Sequence, residues 1–229
     1  MIKQSEKISV LISVFNGEKT INKSIESILD QTYNNFEILL MNDGSTDNTE
    51  NILKEYADKS SEISYFENKK NMGLTFSLNF LIKKSNGTYL ARQDADDISY
   101  RNRFQMQIST ILKNNLDFCT SRALIKGTNK KIPGFSYFLP YQYLIKYKNP
   151  FIHGSLMIKK EVMNEIGSYN TKFKYAQDYK LFFDLIKKNY NFKTINEPLY
   201  ELNMSNNIST NKKIEQKYFA DCVRNGSEP

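Results

Sequence analysis

Gly87-Thr88-Tyr89-Leu90-Ala91-Arg92-Gln93-Asp94-Ala95-Asp96-Asp97 runs from a short apolar stretch straight into three acids within four residues. The apolar start reads as a buried strand. Carboxylates at alternate positions of an extended strand end project to the same side, so Asp94 and Asp96 can share one hard cation while Asp97 turns away. Such acids repel one another unless something positive is bound. A helical pattern at Arg103, Gln107, Ile108 and Ile111 follows. Because Asp is favoured at helix caps and in first turns, the cluster taken alone reads equally well as the approach to a helix.

Working outward, a second strand, Phe36-Glu37-Ile38-Leu39-Leu40-Met41, stops at Asn42-Asp43-Gly44-Ser45-Thr46-Asp47-Asn48-Thr49. This predicts a strand, a tight turn and a helix. Gly44 permits the turn, Ser45 to Asp47 supply cap candidates, and Ile52, Leu53 and Tyr56 give the helix one apolar side. Asp43 thus falls at the carboxyl end of a strand. Ligands of open α/β sheets bind beyond those ends, so an acid there can accept hydrogen bonds from a base or ribose. An Asx-turn that only closes the loop is the competing reading.

Before these stretches come Ile8-Ser9-Val10-Leu11-Ile12-Ser13-Val14-Phe15-Asn16-Gly17-Glu18 and Ser27-Ile28-Leu29-Asp30-Gln31-Thr32-Tyr33, and between them Asn71-Met72-Gly73. Together with the Asn-Asp-Gly-Ser-Thr-Asp turn, the acid cluster and Arg103 with Gln107, they resemble, in order from Ile8 to about Leu199, a family 2 glycosyltransferase. The resemblance implies a GT-A fold. The alternation of strands and helices through residue 97 independently argues a mainly parallel sheet flanked by helices. The expected organisation is a single domain over 1–229: a nucleotide-sugar half at about 8–97, an acceptor half at about 98–204 and a C-terminal extension from about 205. In the second half, Phe118 to Lys126 and Ser155 to Lys159 read as strands. Ile132 to Phe151 is aromatic-rich and broken by Pro133, Pro140 and Pro150. That segment either walls the acceptor site or only covers the sheet.

The resemblance also implies roles. Val14, Phe15, Asp43, Asn71, Asp94 and Asp96 would meet the donor nucleotide-sugar, with Asp96 the direct ligand of magnesium or manganese and Asp94 on the ribose or a metal-bound water. Tyr175-Ala176-Gln177-Asp178-Tyr179 opens a helix with Leu181, Phe182, Leu185 and Ile186 on its apolar side. The family's usual Glu-Asp here is Gln177-Asp178, so the first acid is replaced by an amide and Asp178 stands as general base of an inverting transfer. His153, the only histidine, precedes Gly154-Ser155 in a segment resembling the family's site-lining strand. Together with Gln177 it is expected to contact phosphate or acceptor, or else to be a satisfied structural residue. After Pro198-Leu199-Tyr200 many relatives carry an Arg and a His, whereas this chain has Glu201-Leu202-Asn203. Lys212, Lys213 and Arg224 are candidate substitutes.

Composition bounds these readings. A chain of 229 residues with 13% aromatics can fill one substantial core. The absence of Trp rules out the Gln-Xaa-Xaa-Arg-Trp motif of the family's processive synthases, so one sugar per encounter is expected. No apolar run is long enough to span a bilayer, no secretory signal pattern opens the chain, and Cys119 and Cys222 make no disulfide framework. A cytoplasmic enzyme is expected. The net charge of +7 suits anionic substrates, and peripheral contact with an anionic membrane where lipid-linked acceptors reside is the favoured partner. Nucleic acid is not expected, since none of its usual motifs appears and the acid cluster would repel it. The rival functions are a non-catalytic basic binding module and a nucleotidyltransferase. The latter should show a glycine-rich phosphate loop, for which Asn16-Gly17-Glu18-Lys19 is too poor in glycine.

Overall fold

A computed structural model describes residues 6–205 and 212–229. Strand β1 (Ile8–Val14) is buried along its whole length and forms the centre of a nine-stranded sheet. It pairs in parallel with β2 (Phe36–Asn42) on one side and β4 (Tyr89–Asp94) on the other, and β3 (Ile63–Glu67) extends the sheet beyond β2. Helices α1 (Ile21–Leu29), α2 (Thr49–Lys59) and α3 (Leu74–Lys84) make the crossovers between these strands. The predicted alternation is therefore present.

Strand direction side chains explain why β1 must be covered on both faces. Val10 and Ile12 join a core with Ile21, Ile25, Ile28 and Leu53, while Leu11 joins the opposite core with Leu78, Leu81 and Ile82. Period-two alternation sends successive residues to opposite sides, so a strand buried along its whole length needs two helical layers. Burial of each such side chain is worth about 1.5–3 kcal/mol.

Beyond β4 the order continues with β8 (Met157–Lys159), β6 (Phe118–Ile125), β9 (Phe192–Leu202) and β5 (Ile98–Ser99), and β7 (Lys131–Ile132) pairs with β6. β8 runs antiparallel to both neighbours, whereas β6 and β9 are parallel. The start of β8 therefore lies at the same sheet edge as the carboxyl ends of β4, β6 and β9. Helix α4 (Arg103–Asn114) follows β5, and α6 (Lys160–Glu165), α7 (Gln177–Lys187) and α8 (Lys213–Asn225) complete the second half.

Three expectations change in detail. The strand expected from Ser155 begins at Met157, because His153–Ser155 forms a 3₁₀ turn. There Ser155 Oγ donates to Ile152 O at 2.9 Å, competing with extended pairing. The Ile132–Phe151 segment contains a 3₁₀ turn (Phe135–Phe138) and a four-residue helix, α5 (Tyr141–Leu144), as its prolines suggest. Helix α8 buries Cys222 and Val223 in the core, so part of the expected C-terminal extension is packed on the domain. The expected loop Asn203–Asn211 falls mostly outside the described residues.

At the edge opposite the strand ends just described, a polar clamp ties β1, β2 and β4 together. Glu37 accepts from Ser9 Oγ at 2.6 Å and Asn86 N at 2.6 Å, and Lys7 lies 3.0 Å away.

Candidate active site

The acid turn is built on β4. The strand stops at Asp94, and Ala95 and Asp96 occupy a turn closed by Asp97 N donating to Asp94 O at 3.3 Å. Asp94 and Asp96 are thus brought together by a turn, not by the alternation of one extended strand as the sequence suggested. Gln93 fixes that turn from beneath: its Nε2 donates to Ser24 Oγ at 2.9 Å and Asp97 O at 3.0 Å, and its Oε1 accepts from Ser99 Oγ at 2.7 Å. Glutamine supplies both donor and acceptor, which a carboxylate could not.

Charge around the turn is tightly placed. Arg92, itself buried, donates to Asp94 Oδ1 at 2.5 Å. Burial, then the Asp94 charge, raises the Asp96 carboxyl above its ordinary range. Asp97 does turn away: it is buried, accepts from Asn203 N at 2.7 Å, and is pushed up to about 8 by burial and then by Asp94. Tyr200 Oη accepts from Asp94 N at 2.9 Å. Lys126, at the end of β6, lies near enough to pull Asp96 back down.

Two partly exposed carboxylates that present only hard oxygen donors fit a magnesium or manganese ion. Among the described residues no group of three or more acidic, histidine or cysteine side chains could cage one. A cation of that kind would be held by Asp96, with Asp94 beside it, and would supply positive charge at the acid turn.

Asp43, at the end of β2, is only 3% exposed. Its Oδ1 accepts from Asn68 Nδ2 at 2.7 Å and Met72 N at 2.9 Å, and its Oδ2 from Gly73 N at 2.9 Å. The carboxylate thus anchors the 68–73 loop. Oδ2 retains lone-pair capacity for a ligand. Gly44 has φ 72°, and a Cβ there would lie 2.4 Å from the Lys70 backbone, so both turn and close approach require glycine. Asn71 lines a cavity of about 430 Å³ with Met72, Phe76, Thr171 and Lys174. Val14 is buried in the core and Phe15, just beyond it, is half exposed.

Asp178 lies in the first turn of α7, after Ala176 in a left-handed conformation. Asn149 Nδ2 donates to its Oδ2 at 2.8 Å. Burial raises the Tyr169 hydroxyl, and the charges of Asp178 and Asp94 add an upward pull on both it and His153. His153 Nε2 and Tyr169 Oη are 2.7 Å apart, and burial followed by the Arg92 charge pushes the histidine down. Asp94, Asp178 and His153 are therefore brought into one neighbourhood, with Gln177 partly exposed beside Asp178.

Arg92, Asn149, Gly154, Tyr169 and Tyr200 were not singled out by sequence reasoning. Arg92 sat in the decisive stretch. Asn149, Tyr169 and Tyr200 had no local signal, because their roles depend on partners 16 to 106 residues away. Of the candidate substitutes for the missing Arg and His, Lys212 pairs with Glu215 at 3.4 Å and Arg224 is bound to Asp221 and to Tyr147 O.

The family model described as Glycosyl transferase family 2 matches residues 9–178. "Putative glycosyltransferase EpsE" of Bacillus subtilis is 30% identical over 201 residues, covering 86% of this chain and 72% of that protein. "UDP-Glc:alpha-D-GlcNAc-diphosphoundecaprenol beta-1,3-glucosyltransferase WfgD" of Escherichia coli is 32% identical over 214 residues, covering 92% and 82%. Among solved structures, S. aureus TarS 1-349 in complex with UDP matches with a TM-score of 0.74 at 17% identity, covering 95% of this chain and 65% of that one. The mannosyltransferase PcManGT of Pyrobaculum calidifontis, in complex with GDP-Man and Mn2+, gives 0.74 at 16%, covering 98% and 66%. These likenesses show the GT-A fold.

Proposed function

The chain belongs to glycosyl transferase family 2 and is a glycosyltransferase; from that premise we propose that it moves one sugar from a UDP-sugar to a hydroxyl of a saccharide or lipid-linked saccharide, with inversion at the sugar carbon. The observation that carries this reading is the seating of the His153–Ser155 turn on the acid turn, a Cβ on Gly154 lying 2.6 Å from Asp94 Oδ2, with Asp178 acting on the same histidine. It supplies a donor-side acid turn and a separate carboxylate on the acceptor side. Donor and acceptor class are supported by the E. coli relative, whose name specifies a UDP-sugar and a diphosphoundecaprenol-linked acceptor.

Asp178 accepts the proton of the attacking hydroxyl. Asn149 holds its Oδ2, which leaves Oδ1 to face the acceptor. Asp43, Val14, Phe15 and Asn71 meet the nucleotide, and Asp94 the ribose. A magnesium or manganese ion held by Asp96 would neutralise charge on the departing diphosphate. Lys126 adds positive charge on the same side. His153, fixed by Tyr169, orients phosphate or acceptor from the 3₁₀ turn. Among the described residues no helix is long and apolar enough to cross a membrane. The reading includes a cytoplasmic location with peripheral contact at the inner membrane face.

Asp178→Asn tests the assignment. Transfer should fall by about two to four orders of magnitude while donor affinity stays close to that of the parent. Near-normal transfer would remove Asp178 from the mechanism, and a product of retained configuration would remove the single-base inverting pathway.

A further inference from the structure

No acid occurs between Asp117 and Glu161, while eight lysines and arginines do, out of 32 in the chain. Outside this stretch acids outnumber bases by one, so the whole positive net charge belongs to one segment. Four of the eight bases are engaged inward or elsewhere. Arg122 bonds Asn196, Lys126 lends its charge to Asp96, Lys159 pairs with Asp117, and Lys160 donates to Ser85 O. Lys130, Lys131, Lys146 and Lys148 are exposed and enter no ion pair among the described residues.

The same stretch carries the most exposed cluster of large apolar side chains. Phe135 is 80% exposed, Phe138 69%, Tyr143 66% and Tyr147 73%, with Leu139 at 40%. The segment is not loose. Tyr141 and Ile145, four residues apart, are buried in the core, and Phe151 stacks on Phe182. Tyr143 and Tyr147, also four apart, consequently project the other way. Aromatic side chains displayed on an anchored backbone between lysines, with no acid near in sequence, match the interfacial zone of a bilayer, where aromatic rings sit at headgroup level and lysines reach anionic lipid.

We infer that the 130–148 surface docks the protein on an anionic lipid bilayer, inserting Phe135, Phe138 and Leu139 between headgroups while Lys130, Lys131, Lys146 and Lys148 contact their phosphates. Charge complementarity selects this occupant over a second copy of the chain, since two such basic surfaces would repel each other. Asn149, directly after the surface, is the residue that holds Asp178. On the glycosyl-transfer reading proposed above, docking would bring a lipid-linked acceptor to the base. The docking itself does not depend on that reading.

The chain has no Trp, so Phe138→Trp creates a unique fluorescent reporter. With phosphatidylglycerol vesicles and no sugar donor, its emission should shift to the blue and be quenched by brominated acyl chains. Leu112→Trp, exposed on α4, should do neither. Neutral phosphatidylcholine vesicles should bind weakly. Vesicle partitioning of the full chain should fall about fivefold for each of Lys130→Glu, Lys131→Glu and Lys146→Glu, and should weaken as salt rises. Phe135→Ser with Phe138→Ser should reduce it further, circular dichroism confirming that each variant is folded. Asp178→Asn should bind vesicles like the parent, which separates this surface from the catalytic reading. Absence of binding to anionic vesicles at low salt would overturn the inference. So would binding that survives the charge reversals, a Phe138→Trp reporter that stays in water while the protein is bound, or a blue shift caused by self-association without lipid.

Discussion

Gly154→Ala measures how closely the His153–Ser155 turn sits on the acid turn. A Cβ on Gly154 would lie 2.3 Å from Tyr200 Oη, and 2.6 Å from both Tyr200 Cζ and Asp94 Oδ2. To restore even the shortest contact that real Cβ atoms tolerate, the tyrosine hydroxyl must retreat by roughly 0.7 Å. It has little room. Tyr200 is fully buried under the Arg103 guanidinium, 5.1 Å from its ring centroid, and its hydroxyl holds Asp94 N. An extra methyl in such a place costs about 1–3 kcal/mol. Tyr200→Phe removes the nearest clashing atom but leaves Asp94 N without that partner, costing about 1–3 kcal/mol by itself. The double variant should therefore cost less than the sum of the singles, by about 0.5–3 kcal/mol, since neighbours in contact are not additive. Urea unfolding followed by circular dichroism gives all three penalties. Turnover of Gly154→Ala, assayed where it is folded, should fall because Asp94 is displaced. Strictly additive penalties, or a Gly154→Ala variant within about 0.5 kcal/mol of the parent, would refute the tight seating.

Three further outcomes are expected. Burial alone would raise the Glu37 carboxyl, but hydrogen bonds from Ser9, Asn86 and Lys7 prevail and hold it at about 2. Because the folded value is depressed, its stabilisation is complete above pH about 4.5 and is lost as pH falls towards 2, so Glu37→Gln should flatten the acid limb of stability against pH; an unchanged limb would show that Glu37 is not its source. Asp96→Asn should remove nucleotide-sugar turnover without lowering the melting temperature, and full parent activity in excess chelator would exclude the metal. Asp43→Ala, which strands three hydrogen-bond donors, should cost about 1.5–3 kcal/mol and weaken UDP binding; a titration as tight as the parent's would restrict Asp43 to anchoring the loop.

Strand β1, helices α1 to α3 and the Gly44 turn were readable because each is encoded locally, by apolar period or by backbone demand. α7 was equally plain, with Leu181, Phe182, Leu185 and Ile186 all buried. The acid turn was readable in composition but not in shape, since Gln93 bends it through Ser24 and Ser99, residues that carry no pattern of their own. Asp43 was assigned to a ligand, and its three loop partners could not be foreseen from the strand that carries it. The second half was harder for a general reason. β8 is three residues long and is held by pairings to Ala91 and Cys119, so nothing within it specifies its direction.

The loops after β1 and β2 and the loop before α3 are fastened to one another through side chain and backbone. Asn16 N, Gly17 N and Glu18 N donate to Ser45, Thr49 and Asp47, Asn48 N returns to Glu18, and Met72 N and Gly73 N donate to Asp43. Gly44 closes the set by lying against the Lys70 backbone. None of these amides can exchange with solvent deuterium by opening its own loop alone, because each opening breaks bonds that protect another loop. They form one cooperative opening unit, and a nucleotide bound to any part of it should slow exchange across all three loops together.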